Sequence, residues 1–277
     1  MALSSSTYYS NSIVGQMMTG GDVNVFDAHS APKYPVGQGF TRADGNIFRY
    51  CHVGTATNAG QLVGQTTASG GKAYSVAQFV APASAVAVPW EYPILAGQAG
   101  SHYVEVTVAA IAANKYQGGY LITSRGTGLG DTYRIVGNTA TDNPATGNLR
   151  IQLAEALKVS LTANVGLLIV PSLFTDCAAS ATSSTTVTGV LMSTTTSSNL
   201  WAWVCTRGIV GCLEDATNTI VAGQQVMVSR VTAGAYASVT VSTGTLLVAG
   251  AFSSPIVGYA ITPSGTGRQT AICLQLE

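Results

Sequence analysis

From Phe40 onward the chain is a succession of short apolar runs, each cut off within a few residues by Gly, Asn, Asp or Pro. That rhythm constrains the fold more than any other feature, because strands tolerate such frequent punctuation and helices do not. His102–Val108 alternates strictly, with Val104, Val106 and Val108 on one face and Tyr103, Glu105 and Thr107 on the other. Tyr236, Ser238 and Thr240 oppose Ala237, Val239 and Val241 in the same way. Both segments read as half-buried antiparallel strands. The Asp44-Gly45 pair supplies positive φ for a turn before Ile47–Val53, and the glycines of Gly126–Gly130 precede a strand, which makes them a hairpin turn.

Helical signal is confined to Ala154–Ser160, which follows the strand Leu149–Leu153 and spans barely two turns. The Thr/Ser run from Ala178 to Ser198 reads as a long connection holding one strand, Val187–Met192. The expected fold is therefore all-β, with antiparallel β-sandwich or barrel modules, an extended N-terminal arm and at most one short helix. The expected domains are an arm over 1–38, a first β domain over 39–178 and a C-terminal β domain over 179–277. A repeated turn-then-strand pattern supports two β modules: Asn46–Tyr50 resembles Asn199–Trp203, and Ala-Gly-Gln recurs at Ala59, Ala96 and Ala222.

The segment before residue 39 has no sustained period and carries Gly20-Gly21, Pro32 and Pro35. It also holds Tyr8, Tyr9, Met17, Met18, Phe26 and Tyr34, more large apolar side chains than a disordered tail keeps. Two readings fit. The segment is an arm that orders on a neighbouring molecule, or an edge strand folded back on its own domain.

Charge narrows the function. Charged residues make up 9% of the chain, against roughly a quarter in ordinary soluble domains. Twelve basic and twelve acidic residues cancel to a formal charge of zero. A sequence-independent nucleic-acid binder needs clustered Lys and Arg, so no nucleic-acid partner is expected. A neutral surface favours self-association. The most apolar segment, Val165–Pro171, suits a buried strand and falls far short of a membrane span, so no membrane partner is expected, and the N-terminus lacks the pattern of a secretory signal.

Sites of chemistry are scarce. Cys51, Cys177, Cys205, Cys212 and Cys273 show no metal-ligand spacing and read as reduced core thiols. His29, His52 and His102 are scattered, and Ser69–Ala73 lacks the spacing of a phosphate loop. Glu214-Asp215, the one adjacent acidic pair, is expected in a solvated turn. Trp201 and Trp203 share one strand face, with core packing the simpler reading, whereas Trp90 and Tyr92 sit between Pro89 and Pro93 and are the better interface candidates. No catalytic, cofactor or metal residues are assigned, and the chain is not expected to be an enzyme.

Three stretches carry a likeness to known proteins: Gly39–Val63; Tyr116–Asn138 continuing through Leu149–Leu161; and Leu200–Gly208 with Ala222–Val226 and Pro255–Ile261. In these the chain resembles virion proteins of tailed phages, of the capsid decoration (cement) type. The resemblance implies an all-β structural protein, made in the host cytoplasm and bound to the exterior of an icosahedral head. Its implied partners are the major capsid protein and copies of itself, as a homo-oligomer such as a trimer. The chain departs from that pattern in its length and its long arm. A tail, neck or fibre component, or a glycan-binding adhesin using Trp90, Tyr92 or the Trp201 strand, are the alternatives.

Overall fold

The computed structural model describes residues 18–19, 23–65, 94–108, 111–141, 147–161, 165–180, 186–215, 220–239, 254–263 and 268–277. It is all-β, with no helix among the described residues. The strands are β1 (Met18–Thr19), β2 (Gly39–Thr41), β3 (Ile47–Val53), β4 (Leu62–Gln65), β5 (Ile94–Ala96), β6 (Tyr103–Val108), β7 (Tyr120–Arg125), β8 (Thr132–Asn138), β9 (Gly147–Leu153), β10 (Gly166–Val170), β11 (Cys177–Ala179), β12 (Val187–Leu191), β13 (Leu200–Leu213), β14 (Gln225–Val228), β15 (Tyr236–Ser238), β16 (Ile256–Ala260) and β17 (Gln269–Gln275).

The chain divides into two compact units, but not in consecutive halves. One unit combines Met1–Thr66 with Leu173–Glu277, and the other is Thr67–Ser172. The expected boundary at 178/179 is displaced because β3 pairs along its whole length with β13, from Leu200↔Val53 to Arg207↔Ile47. Strand pairing across so long a separation leaves no local signal, and a reading by neighbouring segments misses it.

In the discontinuous unit, β3, β11, β4, β12 and β13 close on themselves. β11 runs parallel to β3 and antiparallel to β4, β12 joins β4 to β13, and β13 returns to β3. A closed ring leaves no free edge among its members. Its wall is apolar on both sides. Inward lie Cys51, Val53, Val63, Cys177, Leu191, Ala202 and Val204. Outward, Phe48, Tyr50, Leu62, Val190 and Trp203 join a larger core shared with Val226, Tyr236, Ile272 and Leu274. Hence β4 is buried at all four positions, and Ala202–Thr206 of β13 at five in a row. β15 is likewise buried on both faces, not half-buried as its alternation suggested.

Residues 23–38 pack onto this core. β1 pairs in parallel with the sheet edge at β2. Val25 is buried, and the Tyr34 ring stands edge-on to Tyr50 and tilted against Trp203, at 5.2 Å from each. His29 and Trp201 exchange backbone hydrogen bonds of 2.8 and 2.9 Å. Residues 23–38 are thus folded back on their own unit instead of forming an arm. The physical reason is that Tyr34 fills aromatic core space beside Trp203.

Thr67–Ser172 holds a six-stranded antiparallel sheet in the order β10-β7-β8-β9-β6-β5. Its core gathers Val104, Val106, Leu121, Tyr133, Ile135, Leu149 and Ile151. β9 alternates perfectly between buried and exposed, so one of its faces is packed and the other is wet. β7 and β8 form the expected hairpin, with Gly126, Gly128 and Gly130 all at positive φ (81°, 79° and 85°). Ala154–Ser160 does not form a helix. Its amides bond elsewhere, Ala154 N–H to the Arg134 carbonyl and Leu157 N–H to that of Ser101, both at 2.9 Å, which draws Leu157 into the core.

Candidate interaction surface

β13 changes role along its length. Its first half closes the barrel, and its second half pairs with β17 from Arg207↔Gln275 to Leu213↔Gln269. Between them the register slips at Cys205/Arg207, the signature of a bulge at Thr206. Thr206 is buried, and its hydroxyl donates to the Ile47 carbonyl at 3.3 Å. Before the slip the odd-numbered Trp203 and Cys205 face the core, and after it the even-numbered Val210 and Cys212 do. One extra residue therefore turns Arg207 and Ile209 outward.

The bulge is held by Asn46. Its side-chain amide donates to the Ile209 carbonyl at 3.2 Å, and its Oδ1 accepts from the Ile209 N–H at 3.0 Å. Gly208 adopts φ 106° directly beneath the Asn46 side chain. A side chain at 208 would be strained by φ and would also collide with Asn46.

Ile209 begins a row across four strands: Ile209 pairs with Cys273, Cys273 with Tyr259, and Tyr259 with Gln225. The neighbouring pair Met227↔Ile256 extends it. Ile209 is 61% exposed, Ile256 49% and Tyr259 39%. Inward-pointing positions of the same strands, such as Val226, Ile272 and Leu274, are fully buried. The sheet thus carries exposed apolar side chains among the polar ones on its outer face, besides its packed inner face. The Cys273 thiol hydrogen-bonds the Tyr259 hydroxyl, which raises the phenol above its ordinary range. Beside the row a concavity of about 460 Å³ is lined by Asp44, Asn46, Arg207, Gly208, Ile209 and Gln275, among others. Apolar groups with a polar rim form the usual layout of a protein contact.

The residues singled out from sequence scatter. Tyr34 is half-buried against the core, Phe26 is 59% exposed, and Met18 lies in β1. Tyr8, Tyr9, Met17, Trp90 and Tyr92 fall outside the described residues. None of the apolar row was anticipated, because Ile209 and Tyr259 face outward only through slips in register. Trp203 is core, as its simpler reading had it. Trp201 packs partly on that core, with His52 at 4.9 Å between ring centroids and His52 Nδ1 3.0 Å from Asp176 Oδ1.

The acidic pair is a correction. Glu214 and Asp215 are buried, at 1% and 2% exposure, instead of lying in a solvated turn. The chain continues inward after β13: Glu214 N–H donates to the Arg268 carbonyl at 3.0 Å and Asp215 N–H to that of Tyr236 at 2.8 Å. The Ser229 hydroxyl donates to Asp215 Oδ2 and itself accepts the amides of Val231 and Thr232. This is an anchored structural carboxylate closing a loop. All five cysteines are free thiols. Burial pushes Cys205 up to about 12 and Cys212 higher still, so neither is a ready nucleophile at neutral pH. Among the described residues no three His, Cys, Asp or Glu side chains converge on a point that could hold a metal.

No known protein family matches the chain, and neither a curated protein nor a solved structure is similar to it.

Proposed function

We propose that the protein is a structural virion component, a decoration or cement protein that binds the outside of an icosahedral phage head through the Ile209–Cys273–Tyr259 face. The observation that carries this reading is the pairing of that exposed apolar row with a chain only 9% charged and of zero net charge. Such a surface gains by covering another protein, and its contact centre needs no ions. The proposed partner is the assembled lattice of the major capsid protein, with homo-oligomerisation, for instance as a trimer, supplying several attachments at once.

The mechanism is mass action. A ligand that binds only the assembled shell adds its binding free energy to the assembled state and opposes the pressure that pulls subunits apart. Individually weak contacts suffice, because linked copies raise the effective concentration of each further attachment.

The test uses heads lacking the protein. Adding the purified chain is expected to raise their resistance to heat or chelator, and an Ile209→Asp/Ile256→Asp variant is expected to stay folded and lose both attachment and protection. Heads equally stable with and without the protein would overturn the cement role. Full attachment by the double variant would overturn the assignment of this face.

A second reading, a glycan-binding adhesin, is favoured by the partly exposed Trp201 ring beside the His52–Asp176 pair. Glycan-array binding lost in Trp201→Ala would support it over the first.

A further inference from the structure

The interior of the five-stranded barrel holds two thiols. Cys51 on β3 and Cys177 on β11 are both fully buried among Val53, Val63, Leu191, Ala202 and Val204. Their placement follows from the parallel pairing of those strands. Cys177 lies opposite Val53, and Cys51 is the next residue on the same face of β3. The two side chains are diagonal neighbours within one buried cluster on the inner face of the barrel. Cys177 Sγ also lies 3.6 Å from the Leu173 carbonyl and 3.7 Å from Thr188 Oγ1. The residue opposite Cys51 on β13 is Ala202, whose small side chain leaves room for a sulfur to turn.

We propose that Cys51 and Cys177 are a latent disulfide, a modification site that oxidation by a small-molecule disulfide converts into a covalent tie across the barrel. The exchange balances without any metal or cofactor. One protein thiolate attacks a sulfur of the small disulfide, forming a mixed disulfide and expelling one small thiolate. The second protein thiolate then attacks the protein-bound sulfur and expels the other. Net, two protein S–H groups and one small disulfide become one protein S–S bond and two small thiols.

Access is the controlling step. Both sulfurs are enclosed, and the neighbouring Cys177 thiol together with burial holds Cys51 in its protonated form. Exchange therefore waits for local opening. β11 is the natural gate, since it has three residues, against five to fourteen for β3, β12 and β13. In a reducing cytoplasm the pair stays as thiols, and release into an oxidising medium allows it to close. The bond would tie β3 to β11, the strand on which the chain re-enters the barrel after residues 67–172. The inference stands on the barrel alone and does not depend on what the outer face binds.

The experiment incubates the full chain, as a Cys273→Ser variant to remove the one partly exposed thiol, with oxidised glutathione. Expected are loss of two of the four remaining thiols on titration in denaturant, a peptide map joining Cys51 to Cys177, and a rise in the unfolding midpoint that dithiothreitol reverses. Cys51→Ser and Cys177→Ser, each in that background, should abolish the cross-link. The wild-type-barrel peptide map decides the matter even if a serine variant folds poorly. Retention of all four thiols after incubation at a denaturant concentration that opens β11 would overturn the proposal. So would a cross-link to Cys205 or Cys212, or a midpoint lowered by oxidation.

Discussion

β9 and β13 bury their residues by opposite rules. β9, in the 67–172 unit, alternates buried and exposed at every position. β13 buries five successive residues and then changes face at a bulge. A sheet packed on one side writes its structure into the sequence with a period of two, whereas a barrel wall packed on both sides erases the period. The aromatic and sulfur-bearing residues of the second kind of strand therefore say that it is buried without saying which way each one points.

The contrast is broken most directly by truncation. Trp203→Ala should cost about 3–5 kcal/mol in urea unfolding followed by circular dichroism, because the ring packs against Tyr34, Phe40 and Tyr50. A cost under about 1 kcal/mol would show that the outer side of the barrel wall is not packed. The adjacent Val204→Ala, facing the barrel interior, should cost about 2 kcal/mol. On β9 the outward-facing Gln152→Ala beside buried Ile151 should stay within about 0.5 kcal/mol. A substantial cost at both neighbouring positions of β13, against a near-neutral outward substitution on β9, is the pattern to look for.

Gly208→Ala sharpens the role of the bulge. With φ at 106°, a methyl group there should cost about 1–3 kcal/mol and expose Asn46, readable as faster amide exchange at Ile209. Smaller again is the ion pair between Arg49 and Glu277, made by two guanidinium hydrogen bonds of 2.8 and 2.9 Å. Arg49→Ala should cost about 1 kcal/mol or less, since both side chains are partly exposed. Near neutrality the thiol of Cys205 adds no pH dependence at all. Burial raises its folded value from the ordinary 9.0 to about 12, so the stability it contributes is complete below pH 9 and is lost between there and about 12. A Cys205→Ala chain should lose less stability than the wild type over that window.

How much was legible follows the same division. The β7–β8 hairpin, the β9 strand and the valine face of β6 were readable, because turn glycines and alternation are local signals. The pairing of β3 with β13 was not, since it joins residues far apart in the chain. Whether Tyr34 sits on an arm or on a segment folded back is open in the sequence, because a segment rich in Gly and Pro has no period. Only Trp203 and Tyr50, distant in sequence, show that it fills a core. The outer row at Ile209 and Tyr259 was hidden for a different reason. Slips in register reverse the face that simple counting assigns, and a bulge at Thr206 leaves no mark of its own in the sequence.

The pairing of Cys177 with Gln65 has a further consequence. The last strand before residue 67 and the first strand after residue 172 are hydrogen-bonded neighbours, so the intervening stretch is anchored at two adjoining points, as an inserted module must be. Such a stretch can be lengthened, exchanged or shed without asking the surrounding strands to part. A short flexible linker in place of residues 67–172 would then leave a self-sufficient stem, and mutation in the guest segment is free to run faster than in its host.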